Sequence, residues 1–102
     1  MAKILLVNFN EEQGSRLAAF LGTQRHKAWV GSFSAEHCVS EIDLVIVDAS
    51  QREKSALELV TEIAGYRTQY GPRPLVLCLS RVYRGPQFEL EIERKGVRFL
   101  YV

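Results

Sequence analysis

One carboxylate closes the most apolar segment in the middle of the chain. Residues 43–48 are Asp-Leu-Val-Ile-Val-Asp, four apolar and mostly β-branched residues between two aspartates. Such a run is typical of a strand that is buried on both faces at the centre of a parallel sheet. Asp48 would then stand at the carboxyl end of that strand, where open α/β sheets bind ligands. Asp48 is therefore the first candidate for a functional residue.

Four further apolar segments predict strands, and the segments between the strands predict helices. The predicted strands are residues 3–7, 27–33, 43–48, 75–79 and 97–102, and the predicted helices are residues 11–22, 34–40, 56–66 and 84–95. In residues 84–95, apolar and acidic residues alternate as they would in a strand. The glutamates of this segment and its position between two predicted strands favour a helix instead. Alternation of this kind implies right-handed crossovers and a parallel sheet covered on both faces. We therefore expect a three-layer α/β sandwich.

The composition excludes several classes of protein. With 102 residues, 47% of them hydrophobic, the chain is expected to form one domain with a real core. The net charge of +1 comes from intermixed acidic and basic residues, which argues against a nucleic-acid-binding face. Cys38 and Cys78 lie too far apart for a metal motif, and Cys78 is expected to be a buried thiol. The apolar start is too short for a signal or membrane segment, so we expect a cytoplasmic protein.

Four segments of the predicted sheet together resemble the receiver domain of two-component response regulators. They are residues 3–8 (Lys-Ile-Leu-Leu-Val-Asn), 43–48, 71–80 (Gly-Pro-Arg-Pro-Leu-Val-Leu-Cys-Leu-Ser) and 95–101 (Lys-Gly-Val-Arg-Phe-Leu-Tyr). The similarity covers nearly the whole chain and implies a single receiver-like domain over residues 1–102. It also implies a flavodoxin-like sheet of five parallel strands in the order 2-1-3-4-5.

The resemblance gives roles to two residues. In receiver domains the aspartate that ends the third strand accepts a phosphoryl group from a histidine kinase, and Asp48 takes that place. A serine or threonine after the fourth strand acts as a switch, and Ser80 is its candidate. Ser80 lies one residue further from Pro74 than the usual pattern places it.

The sequence departs from the receiver pattern at the other functional positions. The acidic pair that holds Mg²⁺ after the first strand is replaced by Asn8 and Phe9, and the lysine after the fifth strand has no counterpart before Val102. Mg²⁺ prefers hard oxygen ligands, usually with carboxylates among them. Asn8 and Asn10 offer only neutral oxygens beside Asp48, so these three residues form at most a weak Mg²⁺ site, and no cofactor is expected. The departures indicate a degenerate receiver, or pseudo-receiver.

The last predicted strand indicates contact with another protein. The receiver family places a helix after the fifth strand, whereas no helix follows residues 97–102 in this sequence. An apolar edge strand with unpaired backbone groups is typical of an interaction site. We expect a protein partner or a second copy of the chain to cover it; a sequence trimmed from a longer protein would look the same. The predicted interaction surface consists of Val97, Phe99, Leu100, Tyr101 and Val102.

These features favour a non-enzymatic pseudo-receiver that acts by protein–protein interaction or dimerisation in bacterial signalling. One alternative is a phosphoaccepting receiver that uses Asp48, with Asn8 and Asn10 supporting the metal. Another alternative, a small flavodoxin-like enzyme or nucleotide binder, is disfavoured because no glycine-rich phosphate loop follows the first strand. The sequence predicts neither direct nucleic-acid contact nor membrane contact.

Overall fold

Strands and helices account for most of the chain that the structure describes. The computed structural model describes residues 1–33, 42–50, 53–70 and 75–102. The elements are β1 (Lys3–Val7), α1 (Glu11–Thr23), β2 (Lys27–Val30), β3 (Leu44–Asp48), α2 (Glu53–Tyr70), β4 (Leu75–Ser80), α3 (Pro86–Arg94) and β5 (Arg98–Tyr101). The predicted helix over residues 34–40 lies outside the described residues.

The five strands form one parallel sheet in the order β2-β1-β3-β4-β5. β3 lies between β1 and β4, so that Val45 pairs with Leu5 on one side and with Val76 on the other. This order, with helices between the strands, confirms the predicted flavodoxin-like α/β fold. Within the described part of the chain, no helix is both long and apolar enough to cross a membrane.

Side chains alternate between the two faces of the sheet, and each face packs against its own helices. On the α1 face, Ile4, Leu6 and Ile46 are buried, and Leu17 and Leu21 pack against them. On the opposite face, which α2 and α3 cover, buried residues of the strands and of the two helices form one cluster. The strands contribute Leu5, Val7, Val45, Val47 and Cys78, and the helices contribute Val60, Ile63, Phe88 and Ile92. Since the strands are parallel, the carboxyl ends of β1, β3 and β4 meet at one edge.

The segment after β4 forms the predicted helix. Gly85 adopts a left-handed φ of 89°, and Pro86 begins α3. Phe88 and Ile92, which lie four residues apart, are both buried, whereas Leu90 is 53% exposed. The alternating apolar and acidic residues therefore belong to an amphipathic helix. It begins at residue 86 and ends at residue 94, whereas the predicted helix runs from residue 84 to residue 95.

Other boundaries differ from the predicted ones by a few residues. β2 ends at Val30 instead of residue 33. Its neighbour among the described strands is β1, and the last pair in their register is Leu6 with Val30. α2 extends beyond the predicted residues 56–66 at both ends, and β5 is shorter than the predicted residues 97–102.

α1 begins at the predicted cap and lies close against β2. The Asn10 side-chain oxygen accepts a hydrogen bond from the Gln13 N–H at 3.0 Å. A Cβ atom added to Gly14 would lie 2.7 Å from Val30 Cγ2 and 3.1 Å from Phe9 Cβ. Gly14 therefore allows the close approach of α1 to the sheet.

Replacing Gly14 with alanine should destabilise the protein, whereas the same replacement at Gly22 should not. The added methyl group of Gly14→Ala clashes with Val30 and should lower the free energy of unfolding by about 1–3 kcal/mol. At Gly22 nothing lies within 4 Å of the added Cβ, so Gly22→Ala should stabilise the helix by about 0.5–1 kcal/mol. Urea denaturation measures both changes. A Gly14→Ala variant as stable as the wild type would contradict the close packing.

Candidate functional site

Asp48 is buried at the carboxyl end of β3. The residue is 3% exposed, and its Oδ1 accepts a hydrogen bond from the Ser50 N–H at 2.9 Å. The Ala49 N–H donates to the Leu79 carbonyl oxygen at 2.7 Å, which continues the pairing of β3 with β4 beyond Asp48. The carboxylate is therefore held by the turn that follows its own strand.

Asn8 joins the end of β1 to the end of β3. It adopts a left-handed backbone conformation with a φ of 67°, which asparagine tolerates better than most residues. Its Nδ2 donates a hydrogen bond to the Asp48 carbonyl oxygen at 2.9 Å. Asn10 is exposed, and its side-chain oxygen caps α1. The structure thus brings Asn8 to Asp48 and leaves Asn10 with the helix.

Ser80 closes a local turn at the end of β4. Its hydroxyl donates to the Val82 carbonyl oxygen at 2.6 Å and accepts from the Val82 N–H at 3.1 Å. The register pairs Asp48 with Leu79, and strand alternation directs Ser80 to the opposite face of the sheet. Leu79, whose side chain has no polar group, is therefore the neighbour of Asp48 in β4. The switch role of Ser80 stays a prediction.

A cavity of about 440 Å³ opens beside Asp48 at this edge of the sheet. Cavities of this volume are large enough for a small ligand or a side chain of a partner. The described lining residues combine apolar and polar groups: Phe9, Gln13, Arg16, Leu17, Asp48, Ser50, Leu79, Arg81 and Val102. Among the side chains of these described residues, that of Asp48 is the only carboxylate. Arg16 is engaged in an ion pair with Glu12 at 2.7 Å.

Arg84 supplies a cation to the loop that follows Asp48. Its Nε and Nη2 donate to the Ala49 carbonyl oxygen at 3.1 and 2.9 Å, and Nη2 also donates to the Ser50 carbonyl oxygen at 3.0 Å. The Arg81 N–H donates to Ser50 Oγ at 2.9 Å. Sequence reasoning did not single out Arg84, since nothing in its spacing distinguishes it from the other arginines in the second half of the chain.

The groups around Asp48 do not fit a magnesium ion. In the described ranges, no three acidic, histidine or cysteine side chains come together to hold a metal. At the cavity, Asp48 Oδ1 is already bonded to Ser50, and Phe9 offers no side-chain oxygen. Asn8 directs its amide nitrogen to the Asp48 carbonyl group. This set falls short of the charge and the oxygen ligands that Mg²⁺ prefers.

Cys78 lies in β4 on the α2–α3 face and is completely buried. Burial raises the pKa of its thiol from about 9 to about 12, and the negative charge of Asp48 adds to this rise. The thiol is therefore neutral and shielded at physiological pH. This confirms the buried thiol that the sequence predicted at Cys78.

The structure divides the predicted interaction surface between two environments. Val97 and Phe99 are 2% and 4% exposed, because they face α3, where Phe99 packs edge-on against Phe88 with ring centroids 5.5 Å apart. Leu100, Tyr101 and Val102 are exposed by 41%, 40% and 69%. Only these last three residues can meet a partner directly.

Solved structures with a similar backbone share one fold. The receiver domain of the histidine kinase CKI1 from Arabidopsis thaliana, complexed with Mg²⁺ and BeF₃⁻, superposes with a TM-score of 0.78 and 17% identity over 98% of this chain and 80% of that one. The chemotaxis protein CheY4 of Vibrio cholerae matches with a TM-score of 0.75 and 18% identity over 100% and 85% of the two chains.

A response regulator from Thermotoga maritima matches with a TM-score of 0.73 and 18% identity over 99% of this chain and 84% of that one. The chain has the receiver-domain fold. No protein-family model matches the sequence, and comparison with curated proteins gives no match. The receiver fold is therefore established by the backbone, at identities too low to carry residue roles from one protein to another.

Removing the Arg84 side chain should loosen the loop after Asp48. Arg84→Met should lower the free energy of unfolding by about 1–3 kcal/mol, because the buried Ala49 carbonyl group loses its charged donor. Arg81→Met is the matched control: Arg81 is exposed, and its backbone bond to Ser50 survives the change, so the effect should stay within about 0.5 kcal/mol. Equal losses in the two variants, measured by urea denaturation, would contradict the role of Arg84.

The Cys78 thiol should be inert in the folded protein. In a Cys38→Ser variant, Ellman's reagent at pH 8 should label the remaining thiol only after urea is added. The folded-state pKa is the higher one, so the unfolded thiol ionises first as the pH rises. Stability should therefore fall between about pH 9 and 12. Rapid labelling of the native protein at pH 8 would contradict the burial of Cys78.

Proposed function

We propose that this chain is a non-enzymatic pseudo-receiver, a single domain that acts by contact with another protein and not by taking up a phosphoryl group. One observation carries the proposal. Asp48 stands at the end of β3, but Asn8 and Phe9 are its neighbours at the end of β1, where an acidic pair would hold a metal.

Charge explains why phosphoryl transfer to Asp48 is disfavoured. A phosphoryl group carries close to two negative charges, and its transfer requires cations that neutralise the charge as it develops. Arg84 is committed to the carbonyl groups of Ala49 and Ser50, and Arg16 to Glu12. Asp48 and its described neighbours do not suit a divalent metal, and the exposed Arg81 that also lines the cavity supplies only one positive charge against about two negative ones.

The exposed part of β5 supports the proposed contact function. Among the described strands β5 lies at the edge of the sheet, so one side of its backbone has no neighbour in that set. Leu100, Tyr101 and Val102 add apolar side chains to this edge, while Val97 and Phe99 anchor it to α3. The partner is a second copy of the chain or another protein; the mixed surface charge gives no support to direct nucleic-acid binding.

The alternative function is a phosphoaccepting receiver, and the position of Asp48 favours it. The receiver domain of CKI1 was crystallised with Mg²⁺ and BeF₃⁻, and this chain shares its fold. Under this alternative, Asp48 would accept the phosphoryl group while Asn8 contributes a neutral oxygen to the metal. Ser80 would serve as the switch only if the turn at Val82 opened.

Treatment with acetyl phosphate and Mg²⁺, followed by intact-mass measurement, separates the two functions. The proposal predicts no gain of a phosphoryl group in the wild type, because the groups around Asp48 do not suit the metal that would neutralise the transferred charge. The CheY4 protein, treated in parallel, is the positive control for the reagent. A Mg²⁺-dependent gain of one phosphoryl group that disappears in Asp48→Asn would overturn the proposal in favour of the alternative.

A further inference from the structure

Two titratable side chains hold the backbone at the start of β1. The Ala2 N–H donates a hydrogen bond to His26 Nδ1 at 3.0 Å, and the Lys3 N–H donates one to Asp43 Oδ2 at 2.8 Å. The two acceptors approach β1 from opposite sides, because His26 precedes β2 and Asp43 precedes β3. Each atom accepts its bond only while it carries no proton, so both bonds depend on pH.

His26 connects α1, β1 and β2 at the amino edge of the sheet. Its own N–H donates to the Leu21 carbonyl oxygen of α1 at 3.0 Å, and the N–H of the next residue, Lys27, donates to the Ala2 carbonyl oxygen at 2.9 Å. Ala2 is therefore bound through both its N–H and its carbonyl group to two consecutive residues. We call these two bonds, Ala2 N–H to His26 Nδ1 and Lys27 N–H to the Ala2 carbonyl oxygen, the His26 latch.

The bond to Nδ1 requires a neutral imidazole with its proton on the other nitrogen. A neutral imidazole has one nitrogen that donates and one that accepts, so Nδ1 accepts only when Nε2 carries the proton. The imidazolium ion has a proton on both nitrogens, and its Nδ1–H would point at the Ala2 N–H. Histidine side chains ordinarily change charge near neutral pH, whereas carboxylates do so in stronger acid. His26 is half-buried, so water reaches its ring.

The charged groups beside the His26 latch are mostly positive. The groups that flank His26 in the chain or begin the neighbouring strands are Arg25, Lys27, Lys3, the amino group of Met1 and Asp43. Asp43 is the negative member of this set, and its Oδ2 accepts the bond from the Lys3 N–H. Among the described residues, no ion pair joins His26 to a carboxylate. A proton on His26 therefore breaks the bond to Ala2 without forming an ion pair in its place.

We propose that the His26 latch is a pH-sensitive device. It holds the start of β1 to the turn between α1 and β2 while the imidazole is neutral, and it opens when Nδ1 takes up a proton. The register pairs from Ile4 with Ala28 to Leu6 with Val30 remain, so β2 stays in the sheet and only its first residue loosens. The latch is independent of the proposed contact function, because it lies at the amino edge of the sheet and Asp48 lies at the carboxyl edge.

Amide hydrogen exchange, measured by NMR at about pH 7.5 and about pH 5.5, tests the latch at the Lys27 amide. In the wild type, the protection of this amide, corrected for the intrinsic exchange rate, should fall about three- to tenfold at the lower pH, because the latch loses one hydrogen bond. The Asp43 amide, which donates to the Lys3 carbonyl oxygen on the other side of β1, is the internal control and should keep its protection. His26→Asn should make the Lys27 protection independent of pH, since its side-chain oxygen does not titrate. His37→Asn, at the other histidine of the chain, should leave the wild-type fall unchanged.

The tautomer of His26 gives a second measurement that leaves this residue unchanged. In the His37→Asn variant, which retains one histidine, the ring ¹⁵N chemical shifts at about pH 8 should show the proton on Nε2. A neutral ring with its proton on Nδ1 would overturn the inference. Equal protection of the wild-type Lys27 amide at the two pH values would also overturn it, as would the same fall in His26→Asn as in the wild type.

Discussion

The turn after β3 depends on hydrogen bonds that hold its backbone from both sides. Ser50 donates its N–H to the buried Asp48 carboxylate. The carbonyl groups of Asp48, Ala49 and Ser50, three in succession, accept bonds from side chains: the first from Asn8, the other two from Arg84. Because Asn8 follows β1 and Arg84 follows β4, these bonds connect the strands on either side of β3. The carboxyl edge of the sheet is therefore one connected structure.

This arrangement uses polar groups at the carboxyl edge to stabilise the backbone. The amide of Asn8 and the guanidinium of Arg84 donate to carbonyl groups, and neither residue is among the described residues that line the cavity. Asp48 keeps a buried carboxylate whose charge reaches Cys78 and contributes to the raised pKa of that thiol. The consequence is a receiver fold whose carboxyl edge is braced by its own side chains, while its exposed apolar surface lies on β4 and β5.

The resemblance to receiver domains predicted the strand order, and the apolar run of residues 43–48 predicted that Asp48 ends a buried strand. Apolar runs identify the strands, and Asn10 identifies the start of α1. The directions of individual side chains were harder to predict. Ser80 faces away from Asp48 because the register pairs Asp48 with Leu79, and register depends on packing across strands. The bonds of Arg84 depend on the path of a loop, which no sequence spacing encodes.

The central claim is that the Asp48 turn is a structural unit without a working metal site. The most direct measurement is a titration of the ¹⁵N-labelled protein with millimolar Mg²⁺, monitored by NMR at the amides of Asp48, Ala49 and Ser50. The account predicts that the Ser50 amide, bonded to the carboxylate, keeps its chemical shift throughout. A saturable shift centred on these three amides, and absent in Asp48→Asn, would contradict it.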